Sequence, residues 1–266
     1  MFYDAHTHLN SPQLMSDYLH HVQSFVDQGG EGIAIIGTSL EDSLDAIKLV
    51  QLGRSHFPGV NLGAVVGFHP EFVRDYNRKT LQDLIHSHRE YIIGIGECGT
   101  DLHRPAYAQW YEKQLDVFAD QCQLAVDMNL PVVIHSRADR SGTYKIVSQF
   151  PTLKLYFHCR GYTTNELQII QETLPNQVWI GFCGNVTYPK ALELRESLTY
   201  CIDHDIKILL ETDAPYLAPQ AIRGQQNSPA CIHHTYKYCS DYLHIPQKIL
   251  QQIIKDNRKA LYEPTL

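Results

Sequence analysis

Eight short apolar runs alternate with amphipathic stretches along the chain, and this alternation restricts the fold more than any other feature. The runs are predicted strands at residues 2–8, 32–38, 61–69, 92–97, 131–135, 153–158, 178–183 and 206–213. Most are apolar along their length, as is typical of parallel strands covered by helices. Strand followed by helix, eight times in 266 residues, predicts an α/β fold of one domain over residues 1–266, a (β/α)8 TIM-like barrel.

The stretches between the strands have the apolar spacing of helices. Helices are predicted at residues 14–28, 41–52, 81–88, 109–128, 144–150, 165–174 and 191–203, with two more at 232–243 and 246–262. After the eighth strand, residues 214–229 form a turn-rich connection with three prolines, too long for a minimal barrel loop. We expect this segment to be a functional loop or a lid.

Composition restricts the class of protein. The net charge of −7 weighs against a protein that grips duplex DNA through a broad basic surface. The seven cysteines are odd in number and form no C-x-x-C pair, so we expect reduced thiols. The N-terminus has no pattern of a signal peptide, and no apolar stretch approaches the about 20 residues that cross a bilayer. These features predict a cytoplasmic protein without membrane contact and without an evident obligate protein partner.

Potential metal ligands stand at the ends of five predicted strands. Barrel enzymes build their sites where the C-terminal ends of the strands meet. His6 and His8 are two residues apart on a strand, so their side chains point to one face. The whole set is His6, His8, Glu97, His135, His158 and Asp213. Four imidazoles and two carboxylates suit Zn, Mn, Mg or a similar divalent ion.

Six ligands are too many for one tetrahedral ion. They suit two divalent metal ions about 3.5 to 4 Å apart that share a carboxylate. Glu97 lies near the middle of the strand order, so we expect it to bridge the two ions. Asp213 is then a ligand of the first ion and the candidate proton acceptor from the attacking water. Glu97 and Asp213 are therefore the predicted catalytic residues.

The segments around these ligands resemble those of the TatD family of metal-dependent nucleases, of the TatD, YcfH and YabD type. The matching stretches are Asp4-Ala5-His6-Thr7-His8-Leu9, Gly67-Phe68-His69-Pro70, Gly94-Ile95-Gly96-Glu97, Leu130-Pro131-Val132-Val133-Ile134-His135-Ser136-Arg137, Phe157-His158-Cys159 and Leu210-Glu211-Thr212-Asp213-Ala214-Pro215-Tyr216-Leu217-Ala218-Pro219, extended by Arg223-Gly224 with Asn227 and Pro229. The resemblance implies a TIM-like barrel, a one- or two-metal site on the six residues, and hydrolysis of phosphodiesters in DNA, including 3'-5' exonuclease action on single strands. The chain departs from the family at Cys98-Gly99-Thr100 and at Arg160-Gly161-Tyr162, which puts substrate preference in doubt.

A DNA strand or a smaller phosphodiester substrate needs hydrogen-bond donors beyond the metals. Arginine forks bind phosphate oxygens in pairs, although each candidate could equally form a salt bridge with an acid of the rim. The candidate phosphate-binding residues are His69, Arg137, Arg160, Arg223 and Asn227. Cys98 and Cys159 directly follow ligands, so strand alternation predicts that both turn away from the barrel axis as packing residues.

A second function remains open at this point. A metal-dependent amidohydrolase or deaminase-type hydrolase of small molecules would use the same His-x-His, His and Asp pattern, with a pocket that lacks phosphate donors. No lysine lies within the core of a predicted strand, where it could be carboxylated to bridge two ions, and this weakens the alternative. A catalytically silent scaffold would be expected to have lost a ligand, and all six are present.

Overall fold

Eight parallel strands in chain order form the sheet of the computed structural model, which describes residues 1–159, 161, 163–174 and 178–263. The strands are β1 (Phe2–Thr7), β2 (Gly30–Ile36), β3 (Asn61–Val66), β4 (Ile92–Asp101), β5 (Val132–Arg137), β6 (Leu155–Phe157), β7 (Val178–Phe182) and β8 (Lys207–Leu210). Each strand pairs in parallel with the next. The predicted TIM-like barrel is thereby confirmed.

Helices cover the outside of this sheet. They are α1 (Tyr18–Asp27), α2 (Leu40–His56), α3 (Arg78–Ser87), α4 (Pro105–Ala108), α5 (Tyr111–Met128), α6 (Arg140–Val147), α7 (Thr164–Thr173), α8 (Leu192–Asp203), α9 (Ile232–Leu243) and α10 (Gln247–Tyr262). The core lies inside the barrel and between strands and helices, where Trp179, Tyr156 and Phe118 are fully buried. Among the described residues, no helix combines the length and the apolar character that a bilayer crossing requires.

The first and last strands meet where the metal-ligand candidates lie. The backbone N–H of Asp213 donates to the carbonyl of His6 at 2.9 Å, and that of His8 donates to the carbonyl of Ala214 at 2.8 Å. The buried carboxylate of Asp4 accepts hydrogen bonds from the backbone N–H and the hydroxyl of Thr212, at 2.8 and 2.6 Å. These contacts fix the end of β1 against the segment that follows β8.

Strand β4 is longer than predicted, because it continues past Glu97 to Asp101. Gly96 and Gly99 both have φ of +142°, and a Cβ atom on either would collide with a carbonyl oxygen of β5. Glycine is therefore needed at both positions, since it alone combines this backbone conformation with so close an approach. The close approach of β4 to β5 brings Glu97 and Asp101 beside His135.

Strand β6 is shorter than predicted, and this overturns the expectation for Cys159. Because β6 ends at Phe157 and Cys159 has φ of +37°, strand alternation no longer directs the Cys159 side chain. Cys159 instead forms a disulfide with Cys183, whose Cα lies 5.8 Å away. The prediction that all seven cysteines are reduced is wrong for this pair, whereas Cys98 is a buried packing residue as expected.

Candidate metal centre

The six predicted ligands meet at one end of the barrel, with the Glu97 carboxylate in their middle. Its Oε2 lies 3.5 Å from Nε2 of His6 and 3.8 Å from Nε2 of His8. Its Oε1 lies 2.6 Å from Nδ1 of His135 and 2.7 Å from Nε2 of His158. Each oxygen of one carboxylate therefore faces a different pair of imidazoles.

Asp213 completes the group on the Oε2 side of Glu97. Its Oδ1 lies 3.4 Å from Nε2 of His8 and 3.7 Å from Nε2 of His6. The Nε2 atoms of His6 and His8 are themselves 3.3 Å apart. Two imidazole nitrogens aimed at one point beside two carboxylates form a nitrogen and oxygen donor set that fits a divalent ion. The donor atoms of His6, His8 and Glu97 all lie within 4.8 Å of one another.

The two carboxylates are ionised at neutral pH. Burial alone would raise the pKa of Glu97, but the imidazoles of His158, His135 and His6 outweigh it and hold that pKa well below its usual range. Burial also raises the pKa of Asp213, and the hydrogen bond with His8 and the charges of the neighbouring histidines reverse the effect. The centre therefore presents two ionised carboxylates to a cation.

The two imidazoles that face Oε1 of Glu97 have raised pKa values, the opposite direction to the carboxylates. Burial lowers the pKa of His158, but the carboxylates of Glu97 and Glu211 outweigh burial and raise it well above its usual range. For His135, hydrogen bonds to Asp101 and Glu97 overcome burial in the same way and raise the pKa. In the metal-free protein, His158 is thus protonated at neutral pH.

Two buried acids behind these imidazoles were missed by the sequence reasoning. Oδ2 of Asp101 lies 3.3 Å from Nε2 of His135, and Oε1 of Glu211 lies 3.6 Å from Nδ1 of His158. Glu211 is fully buried and accepts hydrogen bonds from the Cys159 backbone N–H, at 2.6 Å, and from the Tyr156 hydroxyl. Carboxylates in this position orient histidine ligands of metals. Glu211 stands two residues before Asp213, and this spacing was the one available signal for its inward orientation.

His69 lies in the cavity wall beside the centre. Its ring centroid is 4.3 Å from that of His135, and its Nδ1 accepts the backbone N–H of Glu71 at 3.1 Å. Burial and the neighbouring His135 lower the pKa of His69 to about 3, so the ring is neutral. A neutral imidazole that accepts at Nδ1 carries its proton on Nε2, which is therefore a hydrogen-bond donor.

The cavity above the centre has a volume of about 1290 Å³, and Arg104, Arg137 and Arg140 contribute to its lining. Arg137 is exposed at the end of β5 and forms no ion pair with any residue that the structure describes. The guanidinium of Arg140 pairs with Glu166. Of the predicted phosphate contacts, His69 and Arg137 thus line the cavity.

The other three predicted phosphate contacts are placed differently. Arg223 is not among the residues that line the cavity, and its guanidinium carbon lies 4.2 Å from the ring centroid of Tyr188. Arg160 lies outside the described residues. Asn227 is fully buried, and its amide donates to the carbonyls of Thr212 and Tyr216 at 3.0 and 2.6 Å. The phosphate role expected for Asn227 is corrected, because its amide instead fastens the long loop to the end of β8.

Comparison with known proteins places these features in a family. The profile described as TatD related DNase matches residues 3–263. An uncharacterized metal-dependent hydrolase from Mycoplasma pneumoniae is 33% identical over 270 positions, 98% of this chain and 99% of its own. The 3'-5' ssDNA/RNA exonuclease TatD of Escherichia coli is 30% identical over 242 positions, 87% of each chain. The structure of YjjV, a TatD homolog from Escherichia coli, covers 99% of this chain and 98% of its own with a TM-score of 0.85 at 22% identity, which supports the barrel fold.

Proposed function

The chain belongs to the TatD-related DNase family, and from this membership we propose that it removes nucleotides from the 3′ end of single-stranded DNA. The family match confirms the resemblance read from the sequence and makes the chain a metal-dependent hydrolase. Relatives named as 3'-5' ssDNA/RNA exonucleases support the polarity and the single-stranded substrate. The amidohydrolase alternative is not favoured. A cytoplasmic location stays a prediction.

The observation that carries this proposal is that the two carboxylate oxygens of Glu97 face two different pairs of imidazoles. We propose that His6, His8 and Asp213 hold one divalent ion, that His135 and His158 hold a second, and that Glu97 contacts both. Its two oxygens face these two imidazole pairs at 2.6 to 3.8 Å, as a shared carboxylate requires. Four imidazoles with two carboxylates suit Zn or Mn better than Mg, which prefers oxygen ligands, and metal analysis of the purified protein would identify the native ion.

Divalent ions bound here would supply positive charge that stabilises a phosphodiester during attack and favours ionisation of water. The protein's own groups then have separate roles. The side chain of Asp213 is 12% exposed, against 4% for Glu97, so it reaches the cavity and can accept the proton of an attacking water. Its lowered pKa keeps it ionised for this role.

His69 and Arg137 are the proposed phosphate contacts. The neutral His69 ring offers its Nε2 proton beside His135. The guanidinium of Arg137, which forms no ion pair with any described residue, offers a fork of donors at the cavity wall. Together they would hold the phosphodiester against the metal centre while the cavity accommodates the terminal nucleotide. Arg160 and Arg223 stay predictions.

A labelled-strand assay tests the proposal. Single-stranded oligonucleotides labelled at either end would be incubated with the metal-depleted protein after addition of Mn²⁺, Zn²⁺ or Mg²⁺. We expect the parent protein to release nucleotides from the 3′ end with at least one of these ions. The Glu97→Ala variant should release no nucleotides and should bind less metal than the parent. Glu71→Ala, at an exposed carboxylate of the cavity lining, is the matched control. Release of internal fragments, or equal activity of Glu97→Ala, would contradict the proposal.

A further inference from the structure

Two pairs of an arginine and an aromatic ring lie on the loops that follow β3 and β4, at the end of the barrel that holds the metal centre. The guanidinium carbon of Arg104 lies 5.3 Å from the ring centroid of Tyr107. That of Arg74 lies 5.4 Å from the ring centroid of Trp110. Trp110 is 40% exposed, which is unusual for the largest apolar side chain.

A row of rings leads from the metal centre to Tyr107. The centroid of His69 lies 4.3 Å from that of His135 and 6.2 Å from that of Tyr107. The guanidinium of Arg104, which lines the cavity, donates to the Tyr107 hydroxyl at 2.8 Å, so Tyr107 lies beside the cavity wall. The backbone N–H of Trp110 donates to the carbonyl of Tyr107 at 2.9 Å, which places the Trp110 backbone one turn of chain further on.

The outer pair is free to bind a ligand. Trp179, the other tryptophan, is buried and donates its indole N–H to Asn257, whereas Trp110 makes no side-chain hydrogen bond within the described part of the chain. Arg74 forms no ion pair there either. Arg104, in contrast, has the acids Glu71 and Asp101 nearby. The Arg74 charge is therefore the less neutralised of the two.

We propose that Trp110 and Arg74 form a binding subsite for the part of a single-stranded nucleic acid that extends beyond the cavity. A base stacks on the Trp110 indole, and Arg74 binds the adjoining phosphate. Single-strand binding proteins combine these two contacts, because every base has an aromatic face and every linkage a negative charge. Paired bases in a duplex have no free face, so the subsite selects unpaired strands. This inference rests on the proposed nuclease function.

Charge complementarity and continuity favour this occupant. The chain carries a net charge of −7, which weighs against a broad basic surface, whereas the guanidinium of Arg74 beside the exposed Trp110 ring offers one anion contact and one stacking contact together. Phe72, two residues before Arg74, lines the cavity in which phosphodiester chemistry is proposed, so the pair stands beside that cavity. A nucleic-acid strand fits both facts, since it is a polyanion with flat apolar bases and it must leave the cavity.

Intrinsic fluorescence gives a direct test, because the chain has two tryptophans and Trp179 is buried. Oligothymidylate of about ten nucleotides, a length within the site sizes of single-strand binders, would be titrated into Glu97→Gln, in which turnover is suppressed. We expect quenching that a second change, Trp110→Phe, abolishes. Fluorescence anisotropy of a labelled strand would show independently that the strand is bound. If the tryptophan fluorescence does not change when the protein is saturated with that strand, the proposal is overturned.

Substrate length separates this subsite from the catalytic centre. In the metal-loaded enzyme, Trp110→Ala and Arg74→Gln should each raise KM for the long strand roughly 10-fold, in line with the loss of one stacked base. KM for a thymidine dinucleotide should be unchanged, and so should the melting temperature. The control is Ile249→Ala, at another exposed apolar side chain on α10.

Each outcome decides between the two proposals. If both variants cleave long and short strands like the parent, the subsite is wrong and the nuclease function stands. If dinucleotide hydrolysis falls as much as that of the long strand, Trp110 acts on the centre itself and the subsite is again wrong. If the parent neither binds nor cleaves single strands with any of the three ions, both proposals fail.

Discussion

The carboxylate of Glu211 faces the imidazole of His158 from the side opposite to the metal centre, with Oε1 3.6 Å from Nδ1. The Nδ1 atom is buried and has no hydrogen-bond partner among the residues that the structure describes. When Nε2 of His158 binds an ion, the ring gains partial positive charge, and Glu211 is the group placed to compensate it. Glu211 is therefore a positioning residue, because it faces His158 and does not itself line the cavity.

We expect Glu211→Gln to weaken binding of the second ion by about 10- to 100-fold, the usual effect of removing an acid behind a histidine ligand. Competition with a coloured chelator would measure the affinity of each site. Asp101→Asn should act in the same way through His135. Unchanged affinity in both variants would show that these acids serve packing only.

For Asp213→Asn we expect kcat to fall about 10²- to 10⁴-fold, the usual value of a general base. The amide keeps the size and one ligand oxygen but can no longer accept the proton. Both metal sites must be shown to be occupied, with excess ion where necessary. If a fully loaded variant keeps the parent kcat on a phosphodiester, Asp213 is a ligand and not the base.

The change Arg137→Ala should raise KM for an oligonucleotide and leave the metal content as it is. An interaction made equally in the ground state and the transition state changes KM alone. Arg140→Ala provides a matched control, because the Arg140 guanidinium is already paired with Glu166. Loss of metal from Arg137→Ala would place this arginine among the groups that support the ligands.

Metal binding should release protons at neutral pH. Glu97 and Glu211 raise the pKa of His158 well above its usual range, so the metal-free ring is protonated, and an ion can bind only after that proton leaves. The affinity of the second site should accordingly rise with pH until the raised pKa is passed. Calorimetry in two buffers of different ionisation enthalpy counts the protons released. His69, with a pKa of about 3, should contribute none. A count of zero at neutral pH would contradict the assignment.

Local pattern was enough to predict the barrel and to bring the six candidate ligands to one end of it. The alternation of strand and helix fixes which chain segments meet, and His6 and His8 need only the two-residue period of a strand. Asp101 could not be found in this way, because β4 continues past Glu97 only by virtue of two glycines packed against β5. The Cys159–Cys183 disulfide depends on where β6 ends, which apolar pattern fixes only to within a few residues.

The loop after β8 shows a different limit of sequence reasoning. Asn227 has the polar side chain of a phosphate ligand, and its position in a long loop suggested exposure. Its burial depends on the carbonyls of Thr212 and Tyr216, which no neighbouring residue in the sequence indicates. Tertiary hydrogen bonds of this kind become visible only with the structure.

The hydrogen bonds between Asp4 and Thr212 join residues 208 positions apart, so the metal centre has consequences for biosynthesis. His6 and His8 leave the ribosome first, whereas Asp213 and the segment that orients it follow after most of the chain has been made. In a nascent chain, His6, His8 and Asp213 therefore cannot come together until β8 is synthesised and docks beside β1. The full set of candidate metal ligands can therefore form only after the last strand has been made and the barrel has closed.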